Sequence, residues 1–392
     1  MRILVIGSGC SAIYLGALLK KNNPEIDLSF VDINKEPGKK FLVTGNGRCN
    51  LGNLKISEKS YNNLNTLKIV KSFDYKKIIT FLNDIGIETS SINDLVYPYS
   101  FSAKSYRDLL VNYLKEKNCK FYLENDICDY FINEEGVKVK INNKFFNFDK
   151  LVIATGGNSS IHTKQYQFID VLKKHNYDVK DFKPGLTPVV VEENVKLLEN
   201  LRVKCKVSLF IDNNLEYEEN GEVLFKKDGL SGISIFSCSS IIARKDKFKK
   251  ATISLNLVPN LSSDELLTKL SNYNAINKNS CIDGFFDKKL SEYIRKISGA
   301  KNLYKFNKNE LQKIAFNMRN LSFSYVNPYS FKESQVSIGG VKYSNLTENL
   351  QSKIEKNVYF IGEIIDADGL CGGYNLMFAF ASAYVVSKAI IE

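Results

Sequence analysis

Short apolar runs and stretches of helical periodicity alternate along the first part of the chain. Ile3 to Ile6 is apolar at every position, as a strand buried on both faces of a parallel sheet requires. Leu15, Leu18 and Leu19 then recur at the spacing of an amphipathic helix, and Leu28 to Val31 begins a second strand. Between 119 and 150 the rhythm shortens. Lys120 to Leu123, Cys128 to Ile132, Val137 to Ile141 and Lys144 to Phe148 read as a β-meander, with turns at Asn133-Glu134-Glu135-Gly136 and Asn142-Asn143. Another buried strand follows at Leu151 to Ile153. Strand-like segments dominate from Thr187 to about Asn260, after which Ser262-Ser263-Asp264-Glu265 forms a capping box and the period becomes helical. Phe286, Leu290, Tyr293, Ile294 and Ile297 share one face, as do Leu311, Ile314, Ala315 and Met318. Val358 to Ile361 returns to a buried strand and leads towards a last, apolar helix.

The turns between these elements carry the candidate chemistry. Gly7-Ser8-Gly9-Cys10-Ser11-Ala12 is a G-x-G-x-x-A turn from strand to helix: Gly7 permits the tight turn, Gly9 lets the backbone approach a pyrophosphate, and Ala12 keeps helix and sheet close. The helix amino end offers free N–H groups to phosphate. Asp32, 20 residues beyond Ala12, ends the second strand where a ribose hydroxyl is held. Thr44-Gly45-Asn46-Gly47-Arg48-Cys49-Asn50 packs hydroxyl, guanidinium, thiol and amide groups into a loop whose glycines admit a flat ligand. Ala154-Thr155-Gly156-Gly157 closes a strand with small residues. Gly362-Glu363 and Asp366 precede Cys371-Gly372-Gly373-Tyr374-Asn375, a helix start whose N–H groups suit negative charge. A parallel sheet, a meander and then an A-T-G-G turn favour FAD over NAD as the dinucleotide.

Composition narrows the class. With 392 residues, 44% hydrophobic and 25% charged, the chain suits a folded protein of two or three domains. The eight cysteines show no paired metal-ligand spacing, so no metal is expected, and they read as reduced thiols in a cytoplasmic protein. The apolar run from Leu376 to Val386 is about half of what a membrane span needs, and no membrane association is expected. A net charge of +11 admits phosphate or RNA partners, and equally follows from Lys-rich coding bias. Locally, Arg244, Lys245, Lys247, Lys249 and Lys250 cluster around one acid, and residues 278 to 319 hold ten bases against four acids.

These segments, with Tyr97-Pro98, Ser100, Val336 to Val341 and Ser352-Lys353, occur in the order of the BaiN/RdsA flavoprotein family, which the chain resembles over essentially its whole length. The T-G-x-G-R-C-N and C-G-G-Y-N-L signatures are the specific ones. The resemblance implies an α/β fold in which an FAD-binding two-dinucleotide (Rossmann-like) domain is interrupted by an inserted β subdomain and a small helical subdomain. The expected boundaries are 1–186 and 336–392 for the FAD domain, 187–260 for the β insert and 261–335 for the helical one. It implies noncovalent FAD near Gly7, Gly9, Ala12, Asp32, Lys40, Thr44, Gly45, Arg48, Cys49, Asn50, Thr155, Gly156, Gly362, Asp366, Gly372, Gly373, Tyr374 and Asn375. Ser11, Gly47, Ile127, Ala154, Gly157, Glu363 and Leu376 complete the expected cofactor set.

Members of that family are similar to reductases of two kinds, one converting a uridine of large-subunit ribosomal RNA to dihydrouridine and one reducing steroid-type enones. Both reduce a C=C bond conjugated to a carbonyl: hydride goes to the β carbon and a proton to the α carbon. The only histidines, His162 and His175, stand outside the flavin motifs, so Cys371, Cys49 and Tyr374 are the candidate proton donors. No second Rossmann-type G-x-G-x-x-G appears, so NAD(P)H docks transiently or another reductant serves. The chain also departs from the family pattern. Asp32 replaces a usual Glu, and both Asn158 to Thr163 and Phe225 to Ile233 differ on what are expected to be substrate-side segments. An RNA-modifying reductase using the basic insert, a small-molecule enone reductase and a flavin-bound interaction protein remain the three functional classes.

Overall fold

The computed structural model describes residues 1–127, 129–134, 136–142, 144–159, 168–276, 281–302 and 305–392. Cys128, Glu135, Asn143, His162 and Lys278 lie outside them, as do residues 160–163 of the departing segment. The described residues form two compact units: Met1–Pro184 with Phe331–Glu392, and Gly185–Ser330.

In the first unit five parallel strands form a sheet in the order Val358–Phe360, Lys150–Ile153, Arg2–Ile6, Asp27–Asp32 and Lys120–Leu123. The central strand pairs on both sides, with Val5 between Val152 and Phe30. Ile3, Leu4 and Val5 are fully buried, which explains the unbroken apolar run. The strand Lys120–Leu123 corrects an expectation. It belongs to the parallel sheet, and the antiparallel meander is Tyr130–Asn133, Gly136–Ile141 and Lys144–Phe148.

The first helix, Cys10–Asn22, departs from the amphipathic reading, since every residue from Ser11 to Lys20 is buried. The last helix, Tyr374–Ile391, packs on the face that would otherwise meet solvent, with the Tyr14 and Phe380 rings stacked at 3.7 Å. Lys20 is accommodated because its ammonium donates to the carbonyls of Pro24 and Ile26, at 2.8 and 2.5 Å. The last helix is long and apolar enough to cross a membrane by composition alone. Its apolar character is also what a helix contributing Met377, Phe378, Phe380 and Val386 to this core requires.

The second unit is built on a closed antiparallel barrel, in the order Val189–Val191, Gly229–Ser231, Asn214–Phe225, Arg202–Ile211, Ala251–Asn256 and Leu321–Pro328. The last strand returns to the first through Val189 opposite Pro328. Two elements differ from the sequence reading. Ile233–Arg244 is a helix inside the stretch read as β, turned by Gly232 at φ +122° and burying Ile235, Cys238 and Ile242 on one face. Leu321–Pro328 is a barrel strand lying beyond the helices. Leu266, Leu290, Ile294, Ile314 and Met318 of the helices share one core with barrel residues Val207, Phe225, Ile253 and Phe323. Among the described residues no cysteines form a disulfide and no cluster of His, Cys, Asp and Glu could hold a metal.

Candidate functional site

The turns at Gly7, Ala154–Gly157 and Gly362, drawn from both ends and the middle of the chain, meet at one cavity because each follows the carboxyl end of a parallel strand. The cavity encloses about 1330 Å³ of atom-free space, part of it open to solvent. Gly7, Gly9, Ser11, Asp32, Lys40, Thr44, Ile127, Ala154, Thr155, Gly156, Gly157, Gly362, Glu363, Asn375 and Leu376 line it.

Two glycines show why the turn is shaped as it is. A Cβ on Gly7, at φ +99°, would stand 2.3 Å from the Ala154 carbonyl oxygen, so this residue lets two sheet turns touch. A Cβ on Gly9 would meet nothing within 4 Å, leaving bare backbone towards open space. The helix that follows has no side-chain cap at Gly9, so its first N–H groups are available to an anion. The Thr155 hydroxyl on the same wall is buried and has no hydrogen-bond partner. An uncapped 13-residue helix, an open backbone cradle and an orphaned hydroxyl fit the pyrophosphate and hydroxyls of an adenine dinucleotide.

Asp32 fixes the turn as well as bordering the cavity. Its Oδ2 accepts from both the backbone N–H and the hydroxyl of Ser8, each at 2.7 Å, and its Oδ1 from the N–H and carboxamide of Asn34 at 2.8 and 2.9 Å. On the opposite side Lys40 donates to Glu363 Oε2 at 2.6 Å and also to the Ser159 hydroxyl. Glu363 Oε1 accepts from the Ser337 N–H at 2.5 Å, and Ser337 Oγ accepts from the N–H groups of Asn158 and Ser159 at 2.8 and 3.1 Å. Cys10 lines the cavity beside this pair. Burial pushes its thiol up to about 11, with Lys40 opposing and Glu363 adding to the shift.

The remaining expected cofactor residues stand off the cavity wall. Ala12 is fully buried. Gly45 and Arg48 are exposed, and Gly47 between them is half-buried. Cys49 is 0% exposed, and burial pushes its thiol up to about 12 against the hydrogen bond from Thr44. Asn50, in the orientation that satisfies its carboxamide, donates to the Val96 and Gly52 carbonyls and accepts from the Gly373 N–H at 3.3 Å. A Cβ on Gly373 would meet the Gly52 carbonyl carbon at 2.8 Å, so that glycine allows close packing, and Gly372 lies beside Asn53. The Tyr374 hydroxyl donates to the Lys55 carbonyl at 2.8 Å. The carbonyl of Asp366 accepts from Asn62 and Asn63, while its neighbours Ala367 and Asp368 line the cavity. Cys371 is half-buried, its thiol 3.9 Å from Oε1 of Gln335, which lines the cavity.

Ser8, Asn34, Gln335, Ser337 and Asp368 are thus wall residues that the motifs did not select, and Ser159 stands behind them, donating to Glu363. Ser8 carried a signal, as the residue between two turn glycines. Ser337 lies in the Val336 to Val341 segment that the family resemblance singled out, but nothing within that strand marked its hydroxyl as facing a cavity.

The expected RNA-facing residues lie in the second unit. Lys247, Lys249 and Lys250 are exposed, and Arg244 is half-buried at a helix end. Lys245 is paired with Glu216 at 2.7 Å, and the backbone N–H groups of Lys249 and Lys250 both donate to Asp212.

Comparison with known proteins places these features in context. The model of the family described as "HI0933-like protein Rossmann domain" matches residues 1–389. A 3-dehydro-bile acid delta(4,6)-reductase from Clostridium scindens is 24% identical over 100% of this chain and 99% of its own. A ribosomal RNA dihydrouridine synthase from Escherichia coli is 26% identical over 99% of this chain and 97% of its own. Among solved structures, a 3-ketosteroid delta1-dehydrogenase from Sterolibacterium denitrificans aligns over 99% of this chain and 98% of its own, with a TM-score of 0.52 at 11% identity, a likeness of fold.

Proposed function

The chain belongs to the HI0933-like Rossmann-domain family, an oxidoreductase family of flavoproteins, and from that premise we propose that it is an FAD-dependent reductase converting a uridine of large-subunit ribosomal RNA to dihydrouridine. The observation that carries this reading is the meeting of the G-x-G turn, Asp32, Thr155 and the Gly362-Glu363 segment on one cavity, with bare backbone at Gly9 facing open space. Similarity to ribosomal RNA dihydrouridine synthases along nearly their full lengths supports the choice of substrate, as does the net charge of +11.

FAD, when bound and reduced, supplies the hydride for the carbon β to the uracil C4 carbonyl. The residues of the chain bind it and manage the proton. The N–H groups at the start of Cys10–Asn22 hold the pyrophosphate, Asp32 accepts a ribose hydroxyl in exchange for the Ser8 hydroxyl, and Lys40 with Glu363 braces the opposite wall. A proton must reach the α carbon as the hydride reaches the β carbon. Cys371 is the proposed donor: Cys49 is enclosed in the core and the Tyr374 hydroxyl already donates to a carbonyl, whereas the Cys371 thiol stands beside a cavity-lining side chain. NAD(P)H is the proposed transient electron donor, and the cytoplasm, where ribosomal RNA is made in bacteria, is the proposed location.

The similarity to a bile acid reductase favours a second reading, reduction of a small-molecule enone by the same chemistry. Mass spectrometry of ribosomal RNA from a strain lacking this protein separates the two. Loss of one dihydrouridine, restored by the gene in trans, is expected; an unchanged dihydrouridine content overturns the RNA reading.

A further inference from the structure

The meander of the first unit presents a surface that cofactor binding does not use. Its three strands pair antiparallel, so successive side chains fall on opposite faces. One face is core: Tyr130, Val137, Val139, Ile141 and Phe148 are 4% exposed or less. The other carries Phe131, Asn133, Lys138, Lys140, Phe145 and Asn147. Phe131 and Phe145 are each 55% exposed. Phe131 stands opposite Lys138, Lys138 opposite Asn147, and Lys140 opposite Phe145, so rings and cations alternate across the sheet. The Lys138 ammonium lies 4.7 Å from the centre of the Phe145 ring. None of these six residues is acidic, and neither lysine is ion-paired with any described residue.

We propose that this face is a docking platform for single-stranded RNA, with bases stacked on Phe131 and Phe145 and phosphates held by Lys138 and Lys140. The inference rests on the RNA reading above and adds where on the first unit the substrate is held. Every base has a π-face, so two exposed rings on a rigid sheet accept unpaired nucleotides whatever their sequence. Uncompensated ammonium groups alternating with those rings match a strand in which phosphates alternate with bases. The amide of Asn147 offers donors and an acceptor to sugar hydroxyls or base edges. The contrast with the second unit is direct, because Lys245 there already has a carboxylate partner.

The test measures binding of a fluorescent single-stranded RNA of about 12 nucleotides, within the usual range of site sizes, by FAD-loaded full-length protein. The variant Phe131→Ala/Phe145→Ala is expected to weaken binding at least about tenfold, and Phe131→Tyr/Phe145→Tyr to retain it. Lys138→Gln/Lys140→Gln is expected to reduce the slope of log affinity against log salt by about 1.4, two contacts at about 0.7 each. FAD content and thermal midpoint should hold in all three variants, since the altered side chains are outside the core. Binding within twofold of wild type in the Phe→Ala variant, or absence of RNA binding by the wild type, overturns the platform. The RNA assay decides the platform whatever the deletion strain shows, whereas unchanged dihydrouridine in that strain overturns the substrate reading alone.

Discussion

Lys40 and Glu363 are separated by 323 positions in sequence and joined by a 2.6 Å ion pair on the cavity wall. Both side chains are about a quarter exposed, which puts the pair between the weak surface bridge and the buried pair whose rupture strands a charge. Lys40→Met should therefore destabilise the protein by about 1–3 kcal/mol in urea unfolding. Lys40→Met/Glu363→Gln should cost less than the sum of the single changes, because neither charge is then left alone. Strict additivity in that cycle would show that the pair contributes nothing as a pair.

Gly9 separates cofactor binding from folding. Its backbone is extended, at φ −72°, and the space beyond it is open, so Gly9→Val should leave the thermal midpoint of the cofactor-free protein nearly unchanged. The added side chain occupies the cradle, and the purified variant should be colourless where the wild type is yellow. Gly7→Val is expected to behave differently and fail to fold, because its side chain would enter the Ala154 carbonyl. A yellow Gly9→Val protein with full FAD content would show that the dinucleotide does not approach this turn.

His175 lies outside the cavity and links two carboxylates, with Nδ1 2.8 Å from Glu355 and Nε2 2.8 Å from Asp129, under the stacked ring of Tyr130. Burial lowers its affinity for a proton, but the hydrogen bonds and charges of Asp129 and Glu355 outweigh that and raise its pKa. The folded state thus holds the proton more tightly than the unfolded chain does. The contribution to stability is fully present below the unfolded value of about 6.5 and is lost as pH rises through the folded value. Urea midpoints measured across that window should fall with rising pH in the wild type and fall less in His175→Gln. Parallel curves for the two proteins would remove His175 from the account.

The thiols near the flavin motifs should separate by function. Cys371→Ala is expected to leave flavin reduction nearly intact and to slow reoxidation by substrate about 10²- to 10⁴-fold, the range general acid catalysis supplies. Cys49→Ala should leave the substrate step near wild type and lower stability by about 1 kcal/mol, because it opens a small void beside buried groups. Rapid-mixing measurement of the two half-reactions checks both. Loss of the substrate step in Cys49→Ala alone would move the acid to the 44–50 loop.

Much of the first unit is legible in sequence because its signals are local. An apolar run of four residues, a glycine turn and an acid at the next strand end each state a backbone preference that the sheet then accepts. The turn at Gly7 and the strand at Leu151 to Ile153 are of this kind. Ile233–Arg244 was not legible, since its Ile and Phe residues favour strands and its four Ser residues favour caps and turns, whereas packing of Ile235, Cys238 and Ile242 into the core holds it as a helix. The strand Leu321–Pro328 does alternate, with Leu321 and Phe323 inward, but its role depends on partners at Val189–Val191, far back in the chain.

The candidate site divides along the same line. Residue types and spacing determined that this chain turns glycine-rich backbone towards the cavity, because a short turn, its φ angles and the helix it opens are settled within a few neighbouring residues. Only the tertiary structure decided which side chains face the cavity. Thr44 does and Cys49, five residues later, is enclosed in the core; Asp368 does and Asp366 anchors Asn62 and Asn63 instead. Strand order set those outcomes: it lays Val358–Phe360 beside Lys150–Ile153, so that Glu363 after the one meets Ser159 after the other, and no spacing along the chain encodes a contact between residues that far apart.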